Sequence, residues 1–438
     1  MSRIAFHTLG CKVNQYDTQA MLELFRDRGY TIVPFQEEAD IYLINTCTVT
    51  GTGDKKSLQL ARHLQQVHPG ADLILCGCLA QRQGAELADT GARLILGTQH
   101  RARVVDFYEQ AVRENTCLVR VDGLEKGLTF EPLSVSFQEE RTRATLKIQE
   151  GCDGRCAYCV IPSVRGPVRS RAMQEILEET QKLVQAGYHE MVLTGIHLSS
   201  YGKDLETGER LIDVIEQLAG IRGVHRIRLG SLEPTIATQA FAGRLAAVPA
   251  VCPQFHLALQ SGSDTVLQRM RRRYNLDMYR EGVRNLRSVY PDAAITTDIL
   301  TGFPGETEEE FEQTRRFIHE IGFSRIHVFP FSPRAGTPAA AMPGQLSRQE
   351  KARRARLLIR DGEEEARAYR MRWAGKVACV LLEQEKDGQL TGYTPEYLPV
   401  RVRCLTPRKS GDEIMVCLQP GEDEWMLGTE QTAYEKEL

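Results

Sequence analysis

The sequence predicts a multidomain α/β protein in three parts: a small N-terminal α/β (doubly wound) domain, a central partial barrel of six β/α units, and a small C-terminal β-barrel. Three observations support this. At 438 residues the chain exceeds one ordinary core. Apolar runs of the kind buried on both faces alternate with amphipathic helical stretches as far as about residue 370. Beyond that the pattern changes to short strands punctuated by Gly and Pro. The expected division is residues 1–125, a linker at 126–140, 141–370 and 371–434.

Taken in order, RIAFHTL alternates as a strand, and NQYDTQAMLELFRDRGY is a helix closed by Gly29. ADIYLINTC is an apolar strand, GDKKSLQLARHLQQVHP a helix, and ADLILCGC and ARLILGT two further buried strands; the helix ARVVDFYEQAVREN follows. Charged, weakly periodic residues from about Val121 to Glu140 form the linker. From Arg141 the alternation restarts: ATLKIQEG, EMVLTGIH, HRIRLGSLEP, QFHLALQSG, AAITTDILTGFPGE and RIHVFPFSPRAGTPA are strands separated by helices. These make six units, fewer than the eight of a closed barrel. RQEKARRARLLIRDGEEEARAYRMRWAG is a long charged helix expected to pack on the barrel. KVACVLLEQE, LTGYTPEYLPVRVRC, EIMVCLQ and EWMLGT supply the last strands.

The composition is 42% hydrophobic and 26% charged with a formal net charge of −3, which excludes a wholly basic nucleic-acid binder but leaves room for a local basic face. No apolar run reaches the length of a membrane span, and the N-terminus has no signal-peptide core, so a cytoplasmic location with no membrane partner is expected.

The most informative feature is C-D-G-R-C-A-Y-C, with Cys152, Cys156 and Cys159 on one loop directly after a strand. Three thiolates at this spacing can hold three corners of a cubane iron–sulfur cluster and leave the fourth iron open. Zinc competes, but a structural zinc site closes with four ligands, and the next candidates, His189 and His197, lie well downstream. Stable disulfides among the 12 cysteines are not expected in a reduced compartment. In the first segment, Cys11, Cys47 and the pair Cys76 and Cys78 end or follow strands. Parallel neighbouring strands would bring three of these thiols to one point, where a second cluster with an open iron is the natural occupant. Burial as a small hydrophobe is the competing reading for any one of them.

EGCDGRCAYCVIPSVRG resembles the radical S-adenosylmethionine (SAM) superfamily, whose fold is a partial (β/α)6 barrel. TLGCKVNQYDTQAM, NTCTVT, GCLAQ and GFPGETEEEF resemble the methylthiotransferases, and the C-terminal segment resembles the TRAM domain, an RNA-binding β-barrel. The likeness runs nearly the whole chain. It implies two [4Fe–4S] clusters, one on Cys152, Cys156 and Cys159 and one on Cys11, Cys47 and Cys78, with Cys76 left to packing. Cys117, Cys252, Cys379, Cys404 and Cys417 lie on no such motif. The resemblance also implies SAM as the second cofactor: one molecule cleaved to a 5′-deoxyadenosyl radical, another giving the methyl group. An external electron donor of the flavodoxin or ferredoxin kind follows from the same chemistry.

Candidate SAM contacts are Tyr158 between two ligand cysteines, Gly195 and Gln260 at strand ends, and Gly302 where the family contacts adenine. Arg165, Arg169 and Arg171, with Arg269, Arg271, Arg272 and Arg273, form two basic groups suited to phosphate, or to a solvated helix face. Tyr274 and Tyr279 are candidates to stack on a splayed base. Three branches of the family act on isopentenyl-adenosine in tRNA, on a ribosomal-protein aspartate, or on N6-threonylcarbamoyladenosine (t6A) at position 37 of tRNA. RTRATLKIQEGCDGRCAYCVIPSVRGPVRSR, VLTGIHLSSYG and LQRMRRRY look most like the third. The expected substrate is therefore tRNA, with carbon 2 of t6A methylthiolated to ms2t6A. A non-catalytic iron–sulfur or zinc protein that binds RNA is the contrasting class. The C-terminal barrel carries slightly more acids than bases, which argues against tight RNA binding by that unit alone.

Overall fold

The computed structural model describes residues 2–125, 127–138, 142–386 and 389–431. The parts of the expected linker at 126 and 139–140, the restart at 141 and the C-terminal limit at 432–434 lie outside the described residues.

The N-terminal unit is a six-stranded sheet in the order β2-β1-β3-β4-β5-β6, every pair parallel. Its strands are β1 (Arg3–Thr8), β2 (Thr31–Val33), β3 (Ile41–Thr46), β4 (Asp72–Gly77), β5 (Leu94–Leu96) and β6 (Leu118–Arg120). The helices α1 (Lys12–Asp27), α2 (Gly51–Val67), α3 (Cys78–Gln83) and α4 (Val104–Glu114) cover it. Strand residues alternate between two cores: Leu43, Ile74 and Leu96 pack with Met21, Phe25 and Phe107, while Tyr42, Ile44 and Leu75 pack with Ala61 and Leu64. Burial on both faces is why these strands read as continuous apolar runs, and the strand order is that of a doubly wound sheet. β2 and β6 escape sequence reading, being three residues each and only partly buried.

The stretch read as a linker is packed rather than free. Leu133 and Val135 are buried against Tyr16 and Ala20, and Glu131 pairs with Arg101 at 2.9 Å. Its weak periodicity reflects a strap that follows α1 instead of forming an element.

The central unit consists of β7 (Arg143–Glu150), β8 (Arg169–Ser170), β9 (Glu190–Gly195), β10 (Arg226–Leu229), β11 (Ser231–Leu232), β12 (Gln254–Leu257), β13 (Ala294–Thr301) and β14 (Arg325–Pro330). Its helices are α5 (Ile161–Arg165), α6 (Met173–Gln185), α7 (Leu211–Ala219), α8 (Gln239–Ala246), α9 (Asp264–Arg269), α10 (Leu276–Val289), α11 (Glu308–Ile321) and α12 (Arg348–Met371). The strands form two curved sheets, β10-β9-β7-β8 and β11-β12-β13-β14, joined by a bridge from Ile227 to Val251. HRIRLGSLEP thus splits at Gly230 into β10 and β11, an edge strand of one sheet and an edge strand of the next. Ala144, Leu146 and Ile148 of β7 pack outward with Ile176 and Leu183 of α6 in the largest core.

The C-terminal unit is a closed five-stranded barrel, β15 (Val377–Lys386), β16 (Gln389–Tyr393), β17 (Pro399–Arg403), β18 (Glu413–Pro420) and β19 (Met426–Glu430), in the order β15-β16-β17-β19-β18. It sits against the N-terminal ends of β7, β9 and β10. Arg143 pairs with Glu383 at 2.6 Å, and Arg228 donates to the Pro395 carbonyl at 2.9 Å. It is therefore remote from the C-terminal strand ends, where α/β chemistry is placed.

Candidate double-cluster site

β7 delivers Cys152 two residues past its end. The loop that follows is fastened by its own backbone: the Cys152 amide donates to the Gly166 carbonyl at 2.9 Å, the Ala157 amide to Met270 at 2.9 Å, and Ala339 donates back to the Ala157 carbonyl at 2.8 Å. Each thiol receives a donor. Gly154 N–H reaches Cys152 Sγ at 3.3 Å, Ile161 N–H reaches Cys159 Sγ at 3.4 Å, and Arg272 Nη1 reaches Cys156 Sγ at 3.0 Å. Burial pushes the Cys159 thiol up to about 12 and raises that of Cys152. A pocket of about 100 Å³ opens over Cys152 and Cys156, lined among others by His197, Lys203, Glu233, Arg271 and Arg273.

The N-terminal cysteines sit at strand-to-helix junctions of the parallel sheet. Cys11 is the N-cap of α1, Cys47 follows β3 ahead of α2, and Cys78 opens α3 after Gly77, whose φ of +94° only glycine adopts readily. Register pairs Thr46 with Gly77, so Cys47 and Cys78 lie one step beyond the last paired residues. Gly10 lets the chain pass Cys47: a Cβ there would lie 3.1 Å from Cys47 Sγ. Cys11 and Cys47 both enter the electrostatic surroundings of Cys78, whose thiol burial raises to about 11 against the pull of Arg165. Cys76, in contrast, is wholly buried among Leu43, Ile74 and Leu96.

The donor sets fit clusters better than single ions. With Zn–S near 2.3 Å, tetrahedral sulfurs lie roughly 4 Å apart. Among the described residues, the one set of three ligating atoms all within 4.8 Å of one another is His319, Asp361 and Glu364, not either cysteine triad. The surroundings also suit an anion. Cys11 is the N-cap of α1, and the first turn of α2 lies beside Cys47, where a Cβ on Gly53 would stand 3.7 Å from the sulfur. Beside the second triad lies a buried group of four cations, Arg101, Lys147, Arg165 and Arg169, against three carboxylates, Asp17, Glu131 and Glu150.

This group joins the two triads. Asp17 of α1 receives Lys147 at 2.7 Å and Arg165 at 3.0 Å, and contacts Arg101. Glu150, the last residue of β7, receives Lys147 at 2.6 Å and Arg165 at 3.0 Å. Burial pushes the Glu150 carboxyl up, but the Arg165, Lys147 and Arg101 charges hold it well below the usual carboxylate range. On the other side of the barrel, Arg334, after β14, pairs with Asp54 of α2 and donates to Thr48 Oγ1 at 2.8 Å. The N-terminal unit is thus bolted to both edges of the open barrel. Sequence reasoning passed over Asn14, Asp17 and Glu150; a polar pair at i, i+3 on the buried side of α1 is the signal that marks the first two, while Glu150 ends β7 with no such pattern.

Several expected roles are corrected by position. Arg165, Arg169 and Arg171 are buried, at 0%, 2% and 3% exposure; Arg165 and Arg171 serve ion pairs with Glu150 and Glu179, and Arg169 donates to the Arg165 carbonyl, so none is open to phosphate. Arg269 is held by Glu310 at 2.7 Å, and Arg272 by Cys156. Arg271 and Arg273 are exposed at the pocket mouth. Tyr274 and Tyr279 are buried and donate to the backbone carbonyls of Leu259 at 2.8 Å and Leu257 at 3.0 Å, so neither is free to stack on a base. The common cause is that the segments following β7 and β12 pack back against the core, which residue type alone does not reveal.

Of the candidate SAM contacts, Tyr158 lies in the cysteine loop, Gly195 is the last residue of β9, and Gln260 and Gly302 follow β12 and β13. Tyr158 is half-buried against Ala157, Phe303 and Phe331, and burial pushes its phenol well up. Gly195 ends β9; a Cβ there would lie 2.8 Å from Gln149 Oε1, so the space it leaves is taken by Gln149. Gln260 holds a φ of +69° and is fixed by its amide to Asp298 at 2.9 Å. Gly302, at φ +71°, lets Lys351 of α12 approach and donates its amide to Glu306 at 2.7 Å.

Comparison with known proteins agrees with this arrangement. Residues 3–97 match the uncharacterized protein family UPF0004, and residues 146–318 match the radical SAM superfamily. The chain is 41% identical to the threonylcarbamoyladenosine tRNA methylthiotransferase MtaB of Bacillus subtilis, over 91% of this chain and 90% of that protein. It is 36% identical to the MtaB of Thermotoga maritima, over 91% of each. It is also 36% identical to a tRNA-2-methylthio-N(6)-dimethylallyladenosine synthase of Symbiobacterium thermophilum, over 88% of this chain and 85% of that protein. Among solved structures, the radical SAM methyltransferase TsrM of Kitasatospora setae, with cobalamin and a [4Fe–4S] cluster bound, shares the fold at a TM-score of 0.55 and 14% identity, over 78% of this chain and 77% of that one.

Proposed function

The chain belongs to the radical SAM methylthiotransferases, enzymes that take SAM and [4Fe–4S] clusters, and on that premise we propose that it methylthiolates carbon 2 of t6A at position 37 of tRNA, giving ms2t6A. The observation that carries the substrate is the likeness, over nine-tenths of both chains, to proteins named for threonylcarbamoyladenosine tRNA. Cys152, Cys156 and Cys159 would hold a cluster that, with SAM, would supply radical chemistry, and Cys11, Cys47 and Cys78 would hold a second that would supply sulfur, with another SAM as the methyl source.

The chain's own residues bind and orient. Tyr158, Gln260 and the turns at Gly195 and Gly302 frame the SAM side of the first triad. Arg271 and Arg273, exposed beside the pocket, meet tRNA phosphate. The basic pocket mouth and the junction between the units are where the anticodon loop enters. The C-terminal barrel, at the far end of the strands, contributes to holding the body of the tRNA. A flavodoxin- or ferredoxin-like protein delivers electrons in the cytoplasm; no helix among the described residues is long and apolar enough to cross a membrane.

A second reading, methylthiolation of isopentenyl-adenosine, is favoured by the relative from Symbiobacterium thermophilum. Mass spectrometry of tRNA nucleosides from a deletion strain decides between them. Loss of ms2t6A supports the first, loss of the methylthio-isopentenyl nucleoside the second, and unchanged tRNA removes both.

A further inference from the structure

We propose that Arg165 is a positioning residue that holds the Cys78 corner of the second cluster and ties it to the strand feeding the first. The proposal rests on Cys11, Cys47 and Cys78 being that cluster's ligands. Arg165 belongs to α5, six residues after Cys159, yet its side chain leaves its own unit. Its Nε donates to Cys78 Sγ at 3.1 Å. Its Nη1 donates to Asp17 Oδ2 and Glu150 Oε2, both at 3.0 Å, and its Nη2 to Asn14 Oδ1. All three guanidinium nitrogens are therefore engaged, by four partners drawn from α1, α3 and the end of β7. The side chain is fully buried.

Its backbone is gripped as well. Thr98 Oγ1 of the N-terminal unit donates to the Val164 carbonyl at 2.7 Å, and Arg169 Nη2 donates to the Arg165 carbonyl at 2.9 Å. A planar fork with fixed donor directions suits this geometry; a lysine ammonium can keep the charge near Asp17 and Glu150 but not also serve the sulfur and Asn14. Arg272, which donates to Cys156, is the corresponding donor of the first triad, but it comes from the same barrel as its cysteine. Arg165 alone of the two crosses between units. A cationic donor on a ligand sulfur withdraws charge from a cluster and raises its reduction potential. The same fork fixes how far the second cluster stands from the first.

The test uses the full chain, anaerobically reconstituted, in a Cys156→Ala background so that the second cluster is observed alone by redox-titrated electron paramagnetic resonance. Arg165→Lys is expected to lower that cluster's midpoint potential by about 59 mV or more, a tenfold change in the one-electron equilibrium constant. Arg165→Gln is expected to lower it further. Arg101→Lys disturbs the same buried charges without touching a sulfur and is expected to leave the potential in place. In the unaltered background, Arg165→Lys should keep tRNA-free SAM cleavage while methylthiolation falls more than tenfold. An unshifted potential in Arg165→Lys with full iron overturns the proposal, as does an equal shift in Arg101→Lys. If Arg165→Gln does not fold, Arg165→Lys alone decides. A parent protein that holds no cluster at Cys11, Cys47 and Cys78 sinks the earlier ligand reading instead, and this proposal with it.

Discussion

Cys152, Cys156 and Cys159 lie within one turn-rich loop after a single strand, whereas Cys11, Cys47 and Cys78 come from three strand ends spread over the first domain. The first triad is held by bonds its own loop makes, including amides aimed at two of its sulfurs. The second exists only because β1, β3 and β4 run parallel in register, with Thr8 opposite Asn45 and Thr46 opposite Gly77. A one-residue slip of β4 would turn its side chains over to the opposite face and carry Cys78 out of step with Cys47. Local spacing makes a site robust to the rest of the fold; a site built by register inherits every weakness of the sheet.

The comparison breaks most sharply if the two triads do not separate functionally. Cys156→Ala is expected to bring SAM cleavage below detection, whereas Cys47→Ala should keep it within about threefold of the parent while abolishing methylthiolation. Cleavage of SAM to 5′-deoxyadenosine, measured without tRNA, reads this directly. Equal loss in both variants would erase the distinction.

Substitution of a glycine in each site is the next largest test. In Gly77→Ala a Cβ would stand 2.3 Å from Asn45 Oδ1 and 2.7 Å from the Thr46 carbonyl, on a backbone at φ +94°. A loss of about 2–3 kcal/mol of stability is expected, with iron lost from the second triad first. Gly154→Ala meets Cys152 Sγ at 3.1 Å and Cys156 Sγ at 3.9 Å, without positive φ, and should cost under about 1 kcal/mol. Thermal melts and iron per chain measure both.

The pH response sharpens the likeness between the triads. Burial raises the Cys78 thiol to about 11 and the Cys159 thiol to about 12, so both are protonated near neutrality and must release a proton to bind iron. Reconstitution of either triad is expected to speed up roughly tenfold per pH unit between about pH 7 and pH 9 while one ionisation limits it. The sign for the apo-protein is opposite. A thiol raised in the folded state stabilises it below the unfolded value of about 8.5, and that stability is lost as pH climbs toward the folded value. Absorbance of the growing cluster and apo-protein melts across pH check the two trends.

Cys76→Ala is expected to have the smallest effect on function, a contact loss of about 1 kcal/mol with both clusters and activity retained. An iron deficit in this variant would mean that Cys76, not Cys78, is the ligand.

Much of the fold was legible because its periods are strong. Continuous apolar strands between amphipathic helices gave both α/β units, and the switch to short punctuated strands gave the C-terminal barrel. What escaped was of another kind. Leu133 and Val135 pack in a segment with no period, and Arg165, Arg171, Tyr274 and Tyr279 look like surface ligand-binding groups until the packing of the segments that carry them turns them inward. A guanidinium reads the same in a sequence whether it meets phosphate or a buried carboxylate.

By itself, then, the sequence determined the three units, the loop triad and the cysteines that end strands, because these depend on spacing along the chain. Only the tertiary structure decided which thiols face one another, that Asp17, Glu150 and Arg165 join the two sites, and which arginines remain open to a partner. Those depend on sheet register and on how the N-terminal unit seats across the open barrel, where residues more than a hundred positions apart meet.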